Sequence, residues 1–255
     1  MKSSFPHPTR TVGNIVILVC FLVPVAVLAS PKQEIKYKTS FGNCPPKTAG
    51  ELAFALADDF EKNSSLRGLK NKMVSEALAE KYYLDEYEIK FDSLEKLLEF
   101  AFDCPMALMS VQLYRNGGRN AWNAVLVDNG KLFNPSYETV LLNEGKISKK
   151  LPSLAVSLKD VDAGISEEIT QLMKLMFATF PTEISEVIIN EENNLTVILS
   201  MQGHPMTAFF GSKEWEDKVS KLNRIVRYMV EQKKPPMIVN LVNSKKIVVK
   251  FPPKN

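Results

Sequence analysis

The run MIVNLVNSKKIVVKF, from Met237 to Phe251, constrains the fold more than any other feature of the sequence. It consists of two apolar segments separated by a polar turn, a pattern that predicts a β-hairpin. Only four residues follow it, so nothing remains to pair with the far side of the second strand, which is expected at the edge of a sheet. The alternation of side chains predicts one face with Ile247, Val249 and Phe251, and an opposite face with Val248 and Lys250.

The composition favours a compact protein that does not bind nucleic acid. Hydrophobic residues make up 45% of the 255 residues and charged residues 24%, which is enough to bury the core of one or two domains. The net charge is only +3, with acids interleaved among the bases, so no strong field for a phosphate backbone is expected.

The N-terminal region predicts a membrane span. No charged residue occurs between Arg10 and Lys32, and a helix over residues 11–31 would be roughly 30 Å long, about one bilayer core. We expect residues 1–10 to be a cytoplasmic tail and the bulk to be extracytoplasmic, in a single-pass membrane protein. The alternative is a signal peptide cleaved after Ala29, which would release a soluble periplasmic binding or chaperone-like protein.

The three cysteines leave the redox compartment open. Cys20 lies in the apolar N-terminal run, so only Cys44 and Cys104 could pair with each other. Two free buried thiols are the favoured interpretation, with a disulfide as the alternative.

The region that follows the N-terminal run reads as a small module that mixes helices and strands. A strand at Glu34 to Phe41 precedes a helix from Thr48 to Glu61 and a second helix from Gly68 to about Tyr83. After a short strand, Asp92 to Glu95 resembles a capping box and predicts a further helix that Pro105 ends.

The second half predicts a sheet with helices packed on it. Asp128-Asn129-Gly130 between two apolar runs predicts a hairpin, and Ser166 is expected to cap an amphipathic helix. A meander then leads to a helix capped by Ser212. That helix should bury Trp215, Val219, Leu222, Val226 and Met229, while Lys218 is assigned to another face.

The sequence carries little catalytic chemistry. His204 is the only histidine available outside the N-terminal tail, and no phosphate-binding loop, zinc motif or nucleophile elbow is present. A thiol-dependent enzyme would need Cys44 or Cys104 to meet His204. We therefore expect a protein that is not an enzyme and that has no cofactor, metal or small-molecule substrate.

The C-terminal half resembles the bacterial cell-division proteins of the FtsQ/DivIB family. The resemblance is carried by NLTVILSMQGHPMTAFFGSKEWEDKVSKLNRIVRYM and by the closing MIVNLVNSKKIVVKF, with weaker similarity in AWNAVLVDNGKLF and LPSLAV. Asn240 and Val242 stand where the family usually has an acidic and a basic residue. Cys44 and Cys104 are not part of the family pattern.

The resemblance implies an α+β fold with a transmembrane helix at 11–31, a POTRA-like module at 32–118 and a mostly antiparallel β-domain with packed helices at 119–255. It further implies a scaffold of the divisome, anchored in the inner (cell) membrane, that recruits FtsB- and FtsL-like proteins by strand addition at its C-terminal edge. The expected partner-binding residues are Asn243, Lys245, Lys246, Ile247, Val248, Val249, Lys250 and Phe251. The alternative for this strand is a protected edge whose lysines discourage aggregation.

Overall fold

The computed structural model describes residues 34–114, 122–157, 165–180, 183–201, 203–232, 237–243 and 245–251. All of the helices and strands found there lie in one compact unit, Ile35–Asn255. The elements form two sheets with their own cores, which we call the first module, residues 36–103, and the second module, residues 107–250.

The first module is a three-stranded sheet with helices packed on it. Its elements in chain order are β1 (Lys36–Ser40), α1 (Pro46–Asn63), α2 (Leu66–Ser75), α3 (Leu78–Lys81), β2 (Glu86–Asp92) and β3 (Leu97–Asp103). Strand β3 lies in the middle, parallel to β1 and antiparallel to β2. Leu52, Leu56 and Phe60 recur at every fourth position of α1, and this spacing places them together in the core.

The helix predicted after Asp92 is wrong. Asp92 Oδ1 does accept hydrogen bonds from the main-chain N–H groups of Leu94 (2.8 Å) and Glu95 (3.1 Å), but these bonds close the β2–β3 hairpin. The following residues bury Leu98, Phe100 and Phe102, which alternate with exposed or half-buried positions. This period of two belongs to a strand, and it prevails over the capping signal.

Cys44 and Cys104 form a disulfide, so the favoured expectation of two free thiols is wrong. Both side chains are buried, and their Cα atoms lie 4.7 Å apart. The bond joins the loop before α1 to the residue after β3, across a sequence separation of 60. It therefore ties the start of the first module to its end.

The second module is built on a nine-stranded sheet. Its strands are β4 (Ala107–Tyr114), β5 (Trp122–Val127), β6 (Leu132–Phe133), β7 (Ser153–Ser157), β8 (Ile184–Ile189), β9 (Leu195–Met201), β10 (His204–Gly211), β11 (Ile238–Asn240) and β12 (Val248–Lys250). They lie in the order β12-β11-β10-β9-β8-β7-β4-β5-β6. Strand β4 therefore belongs to this sheet, although it lies in the range 32–118 expected for the POTRA-like module.

Most strand pairs in the described part of this sheet are antiparallel, as expected, but three are parallel. Parallel pairs are formed by β4 with β7, by β7 with β8, and by β10 with β11. The last pair needs a crossover, which α6 (Trp215–Glu231) supplies. The predicted hairpin at Asp128-Asn129-Gly130 is confirmed, since β5 and β6 pair on either side of it and Gly130 has a φ of +85°.

In the described part of the chain, helices pack on both faces of the second sheet, two on one face and one on the other. Helix α5 (Glu167–Thr179) and α6 share the main core with one face, and Ser166 caps α5 as predicted. Helix α4 (Ser136–Asn143) packs through Tyr137 and Leu141 against Val125 and Val127, which point to the opposite face. Val219, Leu222 and Val226 of α6 are buried as predicted, and Trp215 packs half-buried against the same core, whereas Met229 is half-buried and lines an open groove.

One part of the expected fold class, the transmembrane helix, is wrong for the described part of the chain. No helix in the described part of the chain is long and apolar enough to cross a membrane. The fold class of the described chain is therefore α+β without a membrane span. The predicted tail at 1–10, the segment 11–31 and the cleavage site after Ala29 lie outside the described residues.

Polar contacts join the two modules. The Glu144 carboxylate, at the end of α4, accepts hydrogen bonds from the first-turn N–H groups of α1 at Lys47 (2.6 Å) and Thr48 (3.0 Å). Asp85 accepts from Asn129 Nδ2 and Lys131 Nζ, each at 2.8 Å, and the hydrogen bond from Lys131 lowers the pKa of the Asp85 carboxyl. These contacts hold the modules in a fixed relation near their boundary.

Tyr137 closes the same junction from the side of the second module. Its hydroxyl donates to the carbonyl of Pro105 at 2.8 Å, and its ring stacks on Tyr83 with centroids 4.7 Å apart. Burial raises the pKa of the Tyr137 hydroxyl above its ordinary value.

Candidate partner-binding edge

Strand β12 lies at one end of the nine-stranded sheet. It pairs only with β11, antiparallel, through Ile238↔Lys250, Val239↔Val249 and Asn240↔Val248. Within the described chain, no strand pairs with its other side. The strand predicted at a sheet edge is therefore found there, and we call β11 and β12 together the terminal hairpin.

The hydrogen bonds show which main-chain groups of β12 face outward. Met237 N donates to Lys250 O at 2.9 Å, so the main-chain groups of Lys250 point toward β11. Since these groups alternate along a strand, those of Val248 also point toward β11, whereas those of Val249 point away from it. Leu241 N donates to Phe209 O of β10 at 2.8 Å, so the main-chain groups along β11 likewise alternate, with those of Leu241 pointing toward β10. Val249 thus offers one outward donor and one outward acceptor to a further strand.

The side chains of β12 alternate as the sequence predicts. Ile247 and Val249 face α6, and Val249 packs against the main core. Val248 is 41% exposed, and Lys250 on the same face is also exposed. Phe251 keeps 45% of its surface exposed, so it has room to contact a partner.

An open groove runs between β12 and α6, and we call it the edge groove. Its apolar walls carry two cationic side chains. The lining residues are Lys221, Arg224, Ile225, Tyr228, Met229, Ile247 and Val249. Side chains from a strand added to β12 would enter this groove at every second position.

The turn of the terminal hairpin adds positive charge. Asn243 shapes this turn, because its Oδ1 accepts from Lys245 N at 2.9 Å and its carbonyl from Lys246 N at 3.2 Å. The lysines themselves are exposed. Of the expected partner-binding residues, Asn243 therefore builds the hairpin, whereas Lys245 and Lys246 give its surface a positive potential.

Lys218 is the residue of this site that the sequence analysis missed. It was assigned to an outer face of α6, yet it is only 3% exposed. Its ammonium donates to the carbonyls of Phe210 (2.7 Å), Lys213 (2.7 Å) and Val242 (3.4 Å). Three carbonyl acceptors can satisfy the three donors of a buried ammonium. Lys218 thus fastens the end of β10 and the turn after β11 to α6.

Gly211 and Trp215 complete this arrangement. Gly211 has a φ of +70°, and a Cβ there would lie 3.3 Å from Val242 Cγ1, so the turn passes close to the terminal hairpin. Trp215 Nε1 donates to Gly211 O at 2.8 Å. Helix α6 begins with Glu214 at its N-cap, so the predicted cap at Ser212 is wrong. The glycine after the aromatic run was the sequence signal for this tight turn.

The residues of the thiol-dependent alternative do not come together. Cys44 and Cys104 are bonded to each other in the first module, whereas His204 is exposed at the start of β10 in the second. Neither sulfur is a free thiolate, which is the form that acts as a nucleophile. Among the residues the structure describes, no group of three or more His, Cys, Asp or Glu side chains could hold a metal ion.

Comparisons with known proteins add no identity to this geometry, because no protein-family model and no curated protein sequence matches the chain.

Proposed function

We propose that this chain is a non-enzymatic scaffold of the bacterial divisome that recruits other division proteins by adding one of their strands to β12. The single observation that carries the proposal is the outward-facing main chain of Val249 beside the edge groove. Main-chain hydrogen bonds at such an edge give affinity, and the adjacent side chains select the partner. The resemblance of the C-terminal half to FtsQ/DivIB supports the divisome as the assembly.

The surroundings of β12 define the chemistry of the partner segment. The edge groove is apolar apart from Arg224 and from Lys221, which forms an ion pair with Asp217 at 2.5 Å, and Lys245, Lys246 and Lys250 add positive charge nearby. An extended segment that alternates apolar and acidic side chains would fill the groove and pair with Arg224 and the exposed lysines of the terminal hairpin. FtsB- and FtsL-like division proteins are the partners that the family resemblance implies.

The disulfide supports an extracytoplasmic place of action. Disulfides persist in the periplasm and in other oxidising compartments, and they are rare in the cytosol. Cys44–Cys104 lies in the first module and β12 in the second, yet both belong to one compact unit. The binding edge therefore works in the compartment in which the disulfide forms.

Photo-crosslinking in growing cells tests the proposal at the level of single residues. A photoreactive phenylalanine analogue replaces Phe251 in the full chain, and a matched chain carries it at Leu94, which is 90% exposed on the β2–β3 turn. We expect adducts with FtsB- or FtsL-like proteins from position 251 and none from position 94. Adducts with many unrelated proteins would favour a chaperone-like role instead.

A second variant shows whether the main chain carries the interaction. Val249→Pro removes the outward N–H but leaves the bonds from β12 to β11, so the adduct at position 251 should weaken while the chain stays folded. An adduct of unchanged yield in a folded Val249→Pro chain, or no division protein among the wild-type adducts, would overturn the proposal.

A further inference from the structure

The first module carries its own exposed edge strand, β1. All five residues from Lys36 to Ser40 are exposed, and β1 pairs only with β3. Within the part of the chain that the structure describes, no strand pairs with the outer side of β1. This edge lies in the first module and is separate from β12.

The hydrogen bonds between β1 and β3 show which groups are available. Lys36 N donates to Lys96 O at 2.8 Å, in the register Lys36↔Leu97, so the main-chain groups of Lys36 face β3. By alternation, Lys38 and Ser40 also face β3, whereas Thr39 directs its N–H and C=O outward. Thr39 is therefore the position at which a further strand would form its hydrogen bonds.

A mainly apolar groove lies between β1 and α1. It measures about 360 Å³, and its lining consists of Tyr37, Thr39, Phe41, Gly50, Ala53, Phe54, Ala57, Asp58, Glu61 and Phe100. The small side chains of Ala53 and Ala57 leave it open, while Phe54 is 77% exposed at its rim. Such an exposed aromatic on a helix beside an open strand is a common anchor for a partner.

The charges around this groove restrict what can occupy it. The acids on the α1 side are engaged, because Glu61 accepts from Tyr37 Oη at 2.5 Å and Asp58 pairs with Lys62 at 2.6 Å. On the other face of β1, Lys38 is 71% exposed and pairs at 2.8 Å with Glu99, and Lys36 beside it has no ion-pair partner among the described residues. On this face of β1 the charge without an ion-pair partner is thus positive, whereas Glu61 stays anionic on the groove face, because its hydrogen-bond donor Tyr37 is neutral.

We infer that the outer edge of β1, with the groove against α1, is a second docking site for an extended peptide segment that alternates bulky apolar and acidic residues. A strand hydrogen-bonded to Thr39 would direct one set of side chains against Phe54 and Ala57. The other set would lie on the face that carries Lys36, whose charge has no ion-pair partner among the described residues, so an acidic residue is favoured there. This site is independent of β12 and of the function proposed for it.

The test uses the full chain and a synthetic peptide of about ten residues in which glutamate alternates with valine and phenylalanine. Binding is followed by nuclear magnetic resonance, with the amide of Thr39 reporting on β1 and the amide of Val249 on β12. We expect the Thr39 signal to shift on addition of this peptide. A control peptide with lysine in place of glutamate should shift it much less.

Matched variants distinguish binding in the groove from non-specific hydrophobic binding. Phe54→Ala should weaken binding at Thr39 by about tenfold, as expected for the loss of an aromatic anchor. Val74→Ala removes an equally exposed side chain, 74% exposed on α2, and should leave binding unchanged. Both side chains lie largely in solvent, so neither change should lower the melting temperature by more than a few degrees.

A proline probe tests the strand addition itself. Thr39→Pro removes the outward donor and spares the bonds from β1 to β3, so a folded Thr39→Pro chain should lose the peptide at β1. Val249→Pro should not affect that binding, which keeps this test distinct from the one for β12. The inference is overturned if the peptide shifts only Val249, if both peptides bind alike, or if Phe54→Ala and Val74→Ala have equal effects.

Discussion

The first module and the terminal hairpin both present an open edge strand, but different interactions hold these strands in place. Strand β1 pairs along five residues with β3 in a module whose two ends are joined by the Cys44–Cys104 disulfide. Strand β12 pairs along only three residues with β11, which is itself three residues long. The polar contacts that hold that hairpin in place are the hydrogen bonds that the Lys218 ammonium donates to the carbonyls of Phe210 and Val242. A covalent bond constrains the unfolded chain, whereas a buried ammonium stabilises the folded one only while all of its partners are in place.

The largest expected effect is on the first module, when both cysteines are changed to serine. A disulfide that closes a loop across a sequence separation of 60 contributes about 4 kcal/mol in the chain-entropy view. Urea denaturation of the double variant should show a loss of this order. A variant as stable as the wild-type protein would show that the disulfide does not constrain the first module. The wild-type chain refolded with reductant serves as the control and should match the double variant.

Lys218→Met tests how the terminal hairpin is held in place. The methionine fills similar space but leaves the carbonyls of Phe210 and Lys213 without their donor, at a cost of about 2–3 kcal/mol. Because Lys218 also holds Val242, amide exchange should accelerate in β11 and β12 and stay unchanged in β1. Equal acceleration in both strands would mean that the ammonium supports the whole unit rather than the terminal hairpin.

Two proline substitutions in β12 should differ, although the residues are neighbours. Val248→Pro removes a donor that faces β11 and should cost about 2 kcal/mol of stability together with pairing of the terminal hairpin. Val249→Pro removes an outward donor and should cost less, mainly through the half-buried side chain. Thermal melts of both variants test the deduction that the main-chain groups of Val249 point away from β11. The reverse order would show that β12 has the opposite alternation.

The smallest effect concerns the junction between the modules and appears only at high pH. Burial raises the pKa of Tyr137, so its proton is retained in the folded chain after the unfolded chain has lost it. The stabilisation is fully present below the unfolded pKa of about 10 and declines by roughly 1.4 kcal/mol per pH unit above it. Urea midpoints between pH 9 and 11 should therefore fall less steeply for Tyr137→Phe than for the wild-type chain. Identical slopes would contradict the role of burial.

Local signals in the sequence predicted those parts of the fold that local interactions determine. Ser166 before an apolar stripe, and Asp128-Asn129-Gly130 between two apolar runs, each specify their own geometry through hydrogen bonds to neighbouring residues. The position of β12 at a sheet edge was also predicted, and within the described chain β12 pairs only with β11. The eight expected partner-binding residues lie on this hairpin and its turn, and whether they bind a partner stays a prediction.

The remaining features depend on contacts between residues that are distant in sequence. The carboxylate of Asp92 can close a helix or a hairpin with the same two bonds, and the partners of β3 decide which one forms. Lys218 reads as a solvent residue because its acceptors are main-chain carbonyls, which every sequence contains. The disulfide likewise required that β1, β3 and α1 be placed before Cys44 and Cys104 could be seen to meet.

The carboxylate of Glu144 has a consequence for the order in which this chain matures. It satisfies N–H groups in the first turn of α1, almost a hundred positions earlier in the sequence, with a separation of 96 at Thr48. A nascent chain that has grown only to Cys104 holds both cysteines and every strand of the first module, yet its leading helix still lacks this cap. The first module is therefore complete only after α4 of the second has been synthesised. Vectorial synthesis thus makes maturation of the N-terminal half dependent on the C-terminal half, and a chain halted between them would be selectively weak at the start of α1.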